Sequence, residues 1–214
     1  MNMRAFAALS CAFWLAGCSG VFESDLAAPQ TYVLRLAPAP APAVTAAPAG
    51  SVLLQRPEAG PGLESDRIAL LRTDRRFDFY AASRWAAPAP DLVESVMLDA
   101  LRATGAFSAV FDDAAPFAPH YDLRCALRRF EADYTTDHNG AGPMVHVALD
   151  CTLGRHRDRQ LLASFIAQGS AAAADDRLNA VVAAFEAATA IAMSELGRAT
   201  SAAVAAEHPP SESR

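Results

Sequence analysis

The residues whose pattern most clearly indicates a chemical reaction lie near the start of the chain. Leu15-Ala16-Gly17-Cys18 places an aliphatic residue and two small residues before a cysteine. This pattern is typical of a bacterial lipobox, in which the cysteine thiolate takes a diacylglycerol and the freed amine takes a third acyl chain. Each buried methylene contributes about 0.8 kcal/mol, so three chains, with palmitate among them, form an effectively permanent anchor. We therefore predict lipidation at Cys18.

The segment before Cys18 has the layout of an export signal, which we assign to residues 1–17. Arg4 supplies a positive charge, and residues 5–15 are apolar but shorter than the roughly 20 residues that span a bilayer. A plain secretory signal with an incidental cysteine is the alternative, but it leaves the coincidence of these features unexplained. Ser19 stands where aspartate tends to retain lipoproteins in the inner membrane. It favours the periplasmic face of the outer membrane over the inner membrane.

Two further cysteines, Cys125 and Cys151, remain after cleavage removes Cys11 and lipid consumes Cys18. The periplasm is oxidising, so an even pair there indicates a disulfide. The pair lies in predicted strands at 121–134 and 144–153, and a hairpin turning at 137–142 would place the two cysteines opposite each other. A zinc site that combines them with a histidine and a pair of reduced core thiols are the alternatives.

Composition excludes several classes of function. All 18 basic residues are arginine, 24 residues are acidic, and the formal net charge is -6. A nucleic-acid-binding protein would need a basic face to displace counterions, so nucleic acid is not an expected partner. A lysine Schiff base and a Walker-type phosphate loop both need a lysine amine, which this chain lacks.

Recognisable catalytic and metal-binding patterns are also missing from the sequence. The histidines show no metal-ligand spacing: His120, His138, His146, His156 and His208. The carboxylate pairs Asp112-Asp113 and Asp175-Asp176 lie at predicted element ends, where turns and N-caps favour aspartate. We therefore expect no cofactor, no metal and no enzymatic activity. A periplasmic hydrolase with a dispersed site is the remaining catalytic alternative.

The predicted elements give an α+β fold. Strands are expected at 31–36, 52–54, 67–72, 76–80, 106–111, 121–134, 144–153 and 161–168. One helix is predicted over 91–104, with Asp91 as N-cap and Glu94 completing a capping box, and with Gly105 ending it. A second runs from Asp175-Asp176 to about residue 206. This order favours two helices packed on one face of a largely antiparallel sheet.

The mature chain is expected to form one domain between flexible ends. Residues 18–30 are polar and small, and form a membrane tether. Residues 31–206 form the domain, interrupted by a spacer rich in alanine and proline at 37–49, where alternate prolines prevent a helix. Residues 207–214 contain two adjacent prolines and form a disordered tail.

Two short motifs around the domain's first helix carry a family resemblance. Tyr32-Val33-Leu34 follows the tether, and Arg84-Trp85-Ala86-Ala87-Pro88 leads into the helix. The lipobox, these motifs and their spacing resemble the ABC-type transport auxiliary lipoproteins, or PqiC-like lipoproteins. Members of that family typically show Tyr-Tyr-Leu-Leu and Arg-Trp-Ala-x-Pro in these places. Here Thr31-Tyr32 replaces the tyrosine pair, and the alanine-proline spacer is long.

The resemblance implies a non-catalytic lipoprotein that works with an ABC transporter and MCE-domain proteins in lipid transport between membranes. Docking on the MCE assembly, with a homo-oligomeric ring as one arrangement, is part of that expectation. Tyr32, Arg84 and Trp85 become candidates for a partner interface. Equally, Trp85 could pack the helix onto the sheet, with Arg84 satisfying carbonyl groups or Asp91. An outer-membrane assembly or structural lipoprotein that partners a β-barrel protein is the alternative function.

Overall fold

The computed structural model describes residues 28–37, 48–135 and 142–207. Within these ranges the chain forms nine strands and two helices. In chain order they are β1 (Gln30–Tyr32), β2 (Ser51–Leu54), β3 (Glu58–Ala59), β4 (Arg67–Leu71), β5 (Phe77–Trp85), α1 (Ala89–Ala103), β6 (Ala109–Phe111), β7 (Tyr121–Asp133), β8 (Met144–Arg155), β9 (Gln160–Ala172) and α2 (Leu178–Glu207).

Strand β7 is the centre of the sheet. One of its edges pairs antiparallel with β8 along almost its full length. The other edge pairs in parallel with three short strands placed end to end, namely β2, β3 and β4. Strand β9 continues the sheet beyond β8, while β5 and β1 continue it beyond β4, and β6 lies beside β2. The sheet therefore has one long edge, formed by β9.

The α+β class is correct, but the sheet is mixed rather than largely antiparallel. The three antiparallel pairings, β4–β5, β7–β8 and β8–β9, include most of the paired residues in the described chain. The parallel pairings are short and join segments that are distant in sequence, such as Val52 with Tyr121. No local turn signals such a pairing, so the alternation of polar and apolar residues predicted strands without their direction.

Helix α1 begins earlier than predicted. Its N-cap is Pro88, which makes no side-chain hydrogen bond. Pro90 lies in the first turn, where a helix tolerates proline because the N–H that proline lacks has no partner within the helix. The predicted capping role of Asp91 is wrong: its carboxylate instead accepts a hydrogen bond from the Arg56 guanidinium. Gly105, at φ 63, follows the last turn in the left-handed conformation that ends many helices.

Helix α2 covers the β8–β9 half of the sheet. It is long and apolar enough to cross a membrane, but half of its most apolar window is buried inside the protein, as in the core helix of a globular domain. Gly169 of β9 permits the close approach, because a Cβ there would lie 2.1 Å from the carbonyl oxygen of Ala188. Buried side chains from both helices and from the sheet form one hydrophobic core.

Candidate functional site

The β1–β5 ladder brings the two motifs of the family resemblance together. In this parallel pairing Thr31 lies beside Arg84, and Tyr32 lies beside Trp85. The backbone N–H of Ala86 donates to the carbonyl of Tyr32 at 2.7 Å, which extends the contact toward α1. Residues separated by some fifty positions thus form one structural unit at the entrance to the first helix.

Trp85 belongs to the hydrophobic core. Its side chain is 1% exposed, and its ring lies 5.7 Å from the ring of Phe130 and 5.2 Å from that of Phe185, centroid to centroid. These three rings connect β5, β7 and α2, in geometries that aromatic pairs favour. The alternative of Trp85 as an exposed interface anchor is therefore wrong, and the packing alternative describes its position.

Arg84 and Tyr32 present their polar ends to the surface. Arg84 is half exposed and lies 3.8 Å from Asp66, while its Nε donates weakly to Thr31 Oγ1 at 3.4 Å. It does not reach Asp91, which is bound by Arg56. The hydroxyl of Tyr32 donates to Gln30 Oε1 at 2.7 Å. Of the three candidate residues, only these two expose polar groups that a partner could contact.

The two domain cysteines lie directly opposite each other on β7 and β8. Cys125 and Cys151 are register partners, their Cα atoms are 4.1 Å apart and their Sγ atoms are 2.02 Å apart, so the structure joins them as a disulfide. Both are buried in the core. Their sulfur atoms are bonded to each other in this arrangement and are not positioned as zinc ligands.

Several predicted positions lie outside the described residues. They include the lipidation residue Cys18, the export signal, most of the alanine-proline spacer, and the histidines His138 and His208. The described range of the chain contains no group of three histidine, cysteine, aspartate or glutamate side chains that could hold a metal ion.

The main concave surface is a groove between the two helices, which we call the helix groove. It has a volume of about 920 Å³ and is closed on a third side by the segment 34–37 that follows β1. Alanines, two leucines, Val96 and Met193 make up just over half of its lining residues. Helices α1 and α2 approach closely at its floor, where a Cβ on Gly197 would meet Thr104 Cγ2 at 2.9 Å. The backbone N–H of Arg35 donates to Glu186 at 3.0 Å and holds the third side against α2.

The rim of the helix groove carries charges of both signs. Arg198 forms an ion pair with Glu195 at 2.5 Å, and this hydrogen bond lowers the pKa of the Glu195 carboxyl. Asp99 lies 3.6 Å from Arg102. These exposed pairs contribute little to stability. They leave a groove with an apolar floor and a nearly neutral border.

His146 and Glu131, which could act as an acid or a base, form hydrogen bonds and ion pairs with neighbouring side chains. His146 lies 2.7 Å from Ser170 Oγ, and burial together with the charge of Arg129 lowers the pKa of its imidazole. Glu131, its neighbour across the ladder, is buried, and this burial raises the pKa of its carboxyl although Arg129 binds it at 2.6 Å. His146, Glu131 and Arg129 therefore form a cluster of ion pairs and hydrogen bonds on the sheet, and they do not line the helix groove.

A second polar chain joins the sheet to the start of α2. The hydroxyls of Tyr80 and Tyr134 are 2.8 Å apart, and Tyr134 also donates to Asp176. Burial raises the pKa of Tyr80 to about 12, and burial with the Asp176 hydrogen bond raises that of Tyr134 further. Asp175 accepts from the N–H of Arg177 in the turn before the helix. In the predicted carboxylate pair, Asp175 therefore stabilises the turn before α2, and Asp176 connects Tyr134 to the start of that helix.

Comparison with known proteins places the domain in a family. The model of the ABC-type transport auxiliary lipoprotein component matches residues 32–196, which include both motifs, helix α1, the first two thirds of α2 and most of the residues that line the helix groove. The chain belongs to this family. The chain is thus an auxiliary lipoprotein component of ABC-type transport. The search of curated proteins found no match to the chain.

Solved structures share the fold of this auxiliary lipoprotein. A protein from Xanthomonas campestris of the DUF330 family is 26% identical, with a TM-score of 0.72 over 83% of this chain and 98% of its own. An uncharacterised protein with 13% identity has a TM-score of 0.57 over 85% of this chain and 99% of its own. The second likeness concerns the fold alone.

Sequence reasoning missed the helix groove of this auxiliary lipoprotein. Three segments build the groove, the stretch 34–37, helix α1 and helix α2, and no short motif links them. The one local signal was Gly197, a glycine in the middle of a helix, where it costs stability unless close packing requires it.

Proposed function

We propose that this lipoprotein is a non-catalytic component of an MCE-linked ABC-type system that moves phospholipids or related hydrophobic molecules between membranes. Acyl chains on Cys18 would hold it at the periplasmic face of the outer membrane. The observation that carries the proposal is the family match over residues 32–196, which begins shortly after a lipobox. MCE-domain protein and ABC subunits are the partners that we propose.

The arrangement of charged residues supports a binding role rather than a reactive one. Arg56, for example, bridges Glu64 and Asp91, and Arg155 binds Asp158 and Glu207. Such pairs connect loops to strands and helices. The helix groove, by contrast, has an uncharged floor. Its volume of about 920 Å³ lies within the roughly 300–1,000 Å³ that is typical of sites for small ligands.

Co-purification from detergent-solubilised envelope tests the proposal. The wild-type lipoprotein should bring MCE-domain and ABC subunits with it, and mass spectrometry should find an acylated amino terminus at Cys18. A Cys18→Ser variant is the matched control, because it keeps the domain and loses the anchor. Recovery of a β-barrel protein alone would support the assembly role instead. Recovery of no transport subunit would contradict the proposal.

A phospholipid with a photoreactive acyl chain tests whether the helix groove contacts cargo. We expect cross-linking to wild-type protein and its loss in Ala100→Trp, which fills the groove. Ala183→Trp places the same ring on an exposed position of α2 outside the groove and should cross-link like wild type. Equal cross-linking of both variants would exclude the groove as a cargo contact.

A further inference from the structure

Strand β9 is a long edge strand whose one protective feature is a register shift near its start, between Leu161 and Ala163. It has 13 residues, pairs on one side with β8, and has no second partner among the described strands. It contains no charged residue and no proline. Natural proteins protect long edges with charges, prolines or bulges, because a free row of N–H and C=O groups pairs with other chains. The edges at β1 and β6 are only three residues long.

The cysteine pair fixes which backbone groups of β9 face outward. A Cα separation of 4.1 Å marks Cys125 and Cys151 as a pair without mutual backbone hydrogen bonds. The N–H and C=O of Cys151 therefore point toward β9, where Phe165 is its partner. Alternation then turns the backbone groups of Ile166 and Gln168 away from β8. No backbone group elsewhere in the described chain bonds to them.

A shallow groove runs between this edge and α2, and we call it the edge groove. It has a volume of about 650 Å³, and Ile166 and Gln168 line it together with four residues of α2: Ala190, Ile191, Ser194 and Glu195. Ile166 is 60% exposed and Ile191 is 50% exposed, although both are large aliphatic side chains. Free backbone groups and exposed apolar side chains thus occur at the same place.

We propose that β9 and the edge groove bind an extended, uncharged segment of a partner polypeptide, which joins the sheet as an additional strand. The alternating partial charges of the free N–H and C=O groups are matched by another extended backbone, and side chains of the added strand would cover Ile191. The one charged lining residue, Glu195, is already paired with Arg198. A charged segment would find no partner in the groove and would lose solvation there.

The position of α2 argues against a second copy of β9 as the occupant. The close approach of Gly169 to Ala188 shows that α2 lies over β9 at this point. Two β9 strands paired across a twofold axis would hold their α2 helices on the same face, separated by roughly the 4.8 Å between strands. Packed helices need about 8–10 Å between their axes. A single strand without a covering helix meets no such clash.

Hydrogen–deuterium exchange of the lipid-anchored protein tests this inference, with the fragment 161–172 as the reporter. Three samples are compared: purified protein in detergent over a concentration series, purified protein in vesicles of phosphatidylethanolamine and phosphatidylglycerol, and native envelope. We expect exchange in the envelope to be slower by about tenfold or more, because added hydrogen bonds suppress local opening. Equal exchange in all samples overturns the inference. Slowing with concentration, or with vesicles alone, overturns it in favour of a second copy or the membrane surface.

A pair of substitutions separates backbone pairing from other effects. Gln168→Pro removes an outward N–H, at a position where edge strands tolerate proline, and should abolish the protection. Gln168→Ala retains the N–H and should keep it. If Gln168→Pro fails to fold by circular dichroism, Ile191→Arg replaces it and places a charge in the edge groove. A folded Gln168→Pro or Ile191→Arg protein that stays protected in the envelope overturns the inference. The test does not depend on which transport subunits co-purify.

Discussion

Reducing the Cys125–Cys151 bridge should lower the free energy of unfolding by about 3.5 kcal/mol. The two cysteines are 26 residues apart in sequence. A cross-link over a loop of that length removes about 12 cal/mol/K of chain entropy from the unfolded state, which gives the stated figure at 25 °C. Both residues are buried, and the β7–β8 ladder continues on either side of them, so we expect the reduced protein to keep its native fold.

Urea unfolding with and without reductant measures this difference. With a slope of about 2 kcal/mol/M, the midpoint should fall by about 1.7 M on reduction. Thermal unfolding should show a decrease of about 7–14 °C for a domain of this size. The protein is best used in a Cys18→Ser background, which removes the predicted acyl anchor, so that unfolding can be followed without detergent.

The double variant Cys125→Ala, Cys151→Ala is the matched control. Its midpoint should lie near that of the reduced protein and should not respond to reductant. If reductant moves the midpoint of the bridged protein no further than that of the double variant, the loop-closure reasoning fails.

Three further predictions concern packing and protonation. Trp85→Ala should cost about 3–5 kcal/mol, seen in urea midpoints, because it empties a buried aromatic site. Gly169→Val should cost about 1–3 kcal/mol or more, because its Cβ would collide with the Ala188 carbonyl. His146→Gln should flatten the pH dependence of stability: the folded pKa of His146 is lowered by burial and Arg129, so the unfolded state binds the proton more tightly. Wild-type stability should therefore rise with pH up to the ordinary histidine value of about 6.5, as urea midpoints from about pH 5 to about pH 7.5 would show.

Matched variants provide the controls for these predictions. Trp85→Phe keeps an aromatic ring between β5 and α2, and should cost less than Trp85→Ala. A Cβ at Gly154 would lie 3.5 Å from its nearest neighbour, the carbonyl oxygen of Gln160. Gly154→Val should therefore lower the free energy of unfolding less than Gly169→Val does. If either control is as damaging as its partner, the packing explanation is wrong. An unchanged pH dependence in His146→Gln would remove His146 as its source.

Local patterns in the sequence predicted the meander and the helices well. The strands at 121–134 and 144–153 match β7 and β8 closely, because a long alternation and a glycine-rich turn are both local signals. Helix α1 was predicted with an error of two residues at its start. The error arose because Asp91 satisfies the rule for an N-cap but is bound by Arg56, which is 35 positions away.

Features that depend on distant segments could not be predicted. The two-residue strand β3 (Glu58–Ala59) exists because β7 provides its partner. Strand β5 extends to Trp85, beyond the predicted 76–80, because β1 pairs with its second half. The predicted strand at 31–36 is limited to Gln30–Tyr32 for the complementary reason that the β5 partner ends there. The helix groove likewise needs the segment 34–37, helix α1 and helix α2, which are distant from one another in sequence.

The dependence of β2, β3 and β4 on β7 affects how the polypeptide acquires its shape during synthesis. The ribosome makes these three strands first, and their partner follows only after α1 and β6 are complete. The edges of β2, β3 and β4 that pair with β7 must therefore remain unpaired for an interval, whereas the antiparallel β4–β5, β7–β8 and β8–β9 pairs can form as soon as their strands emerge. Holding factors that shield nascent strands should consequently act on residues 51–71, and a circular permutant starting at β7 should fold faster than the natural order.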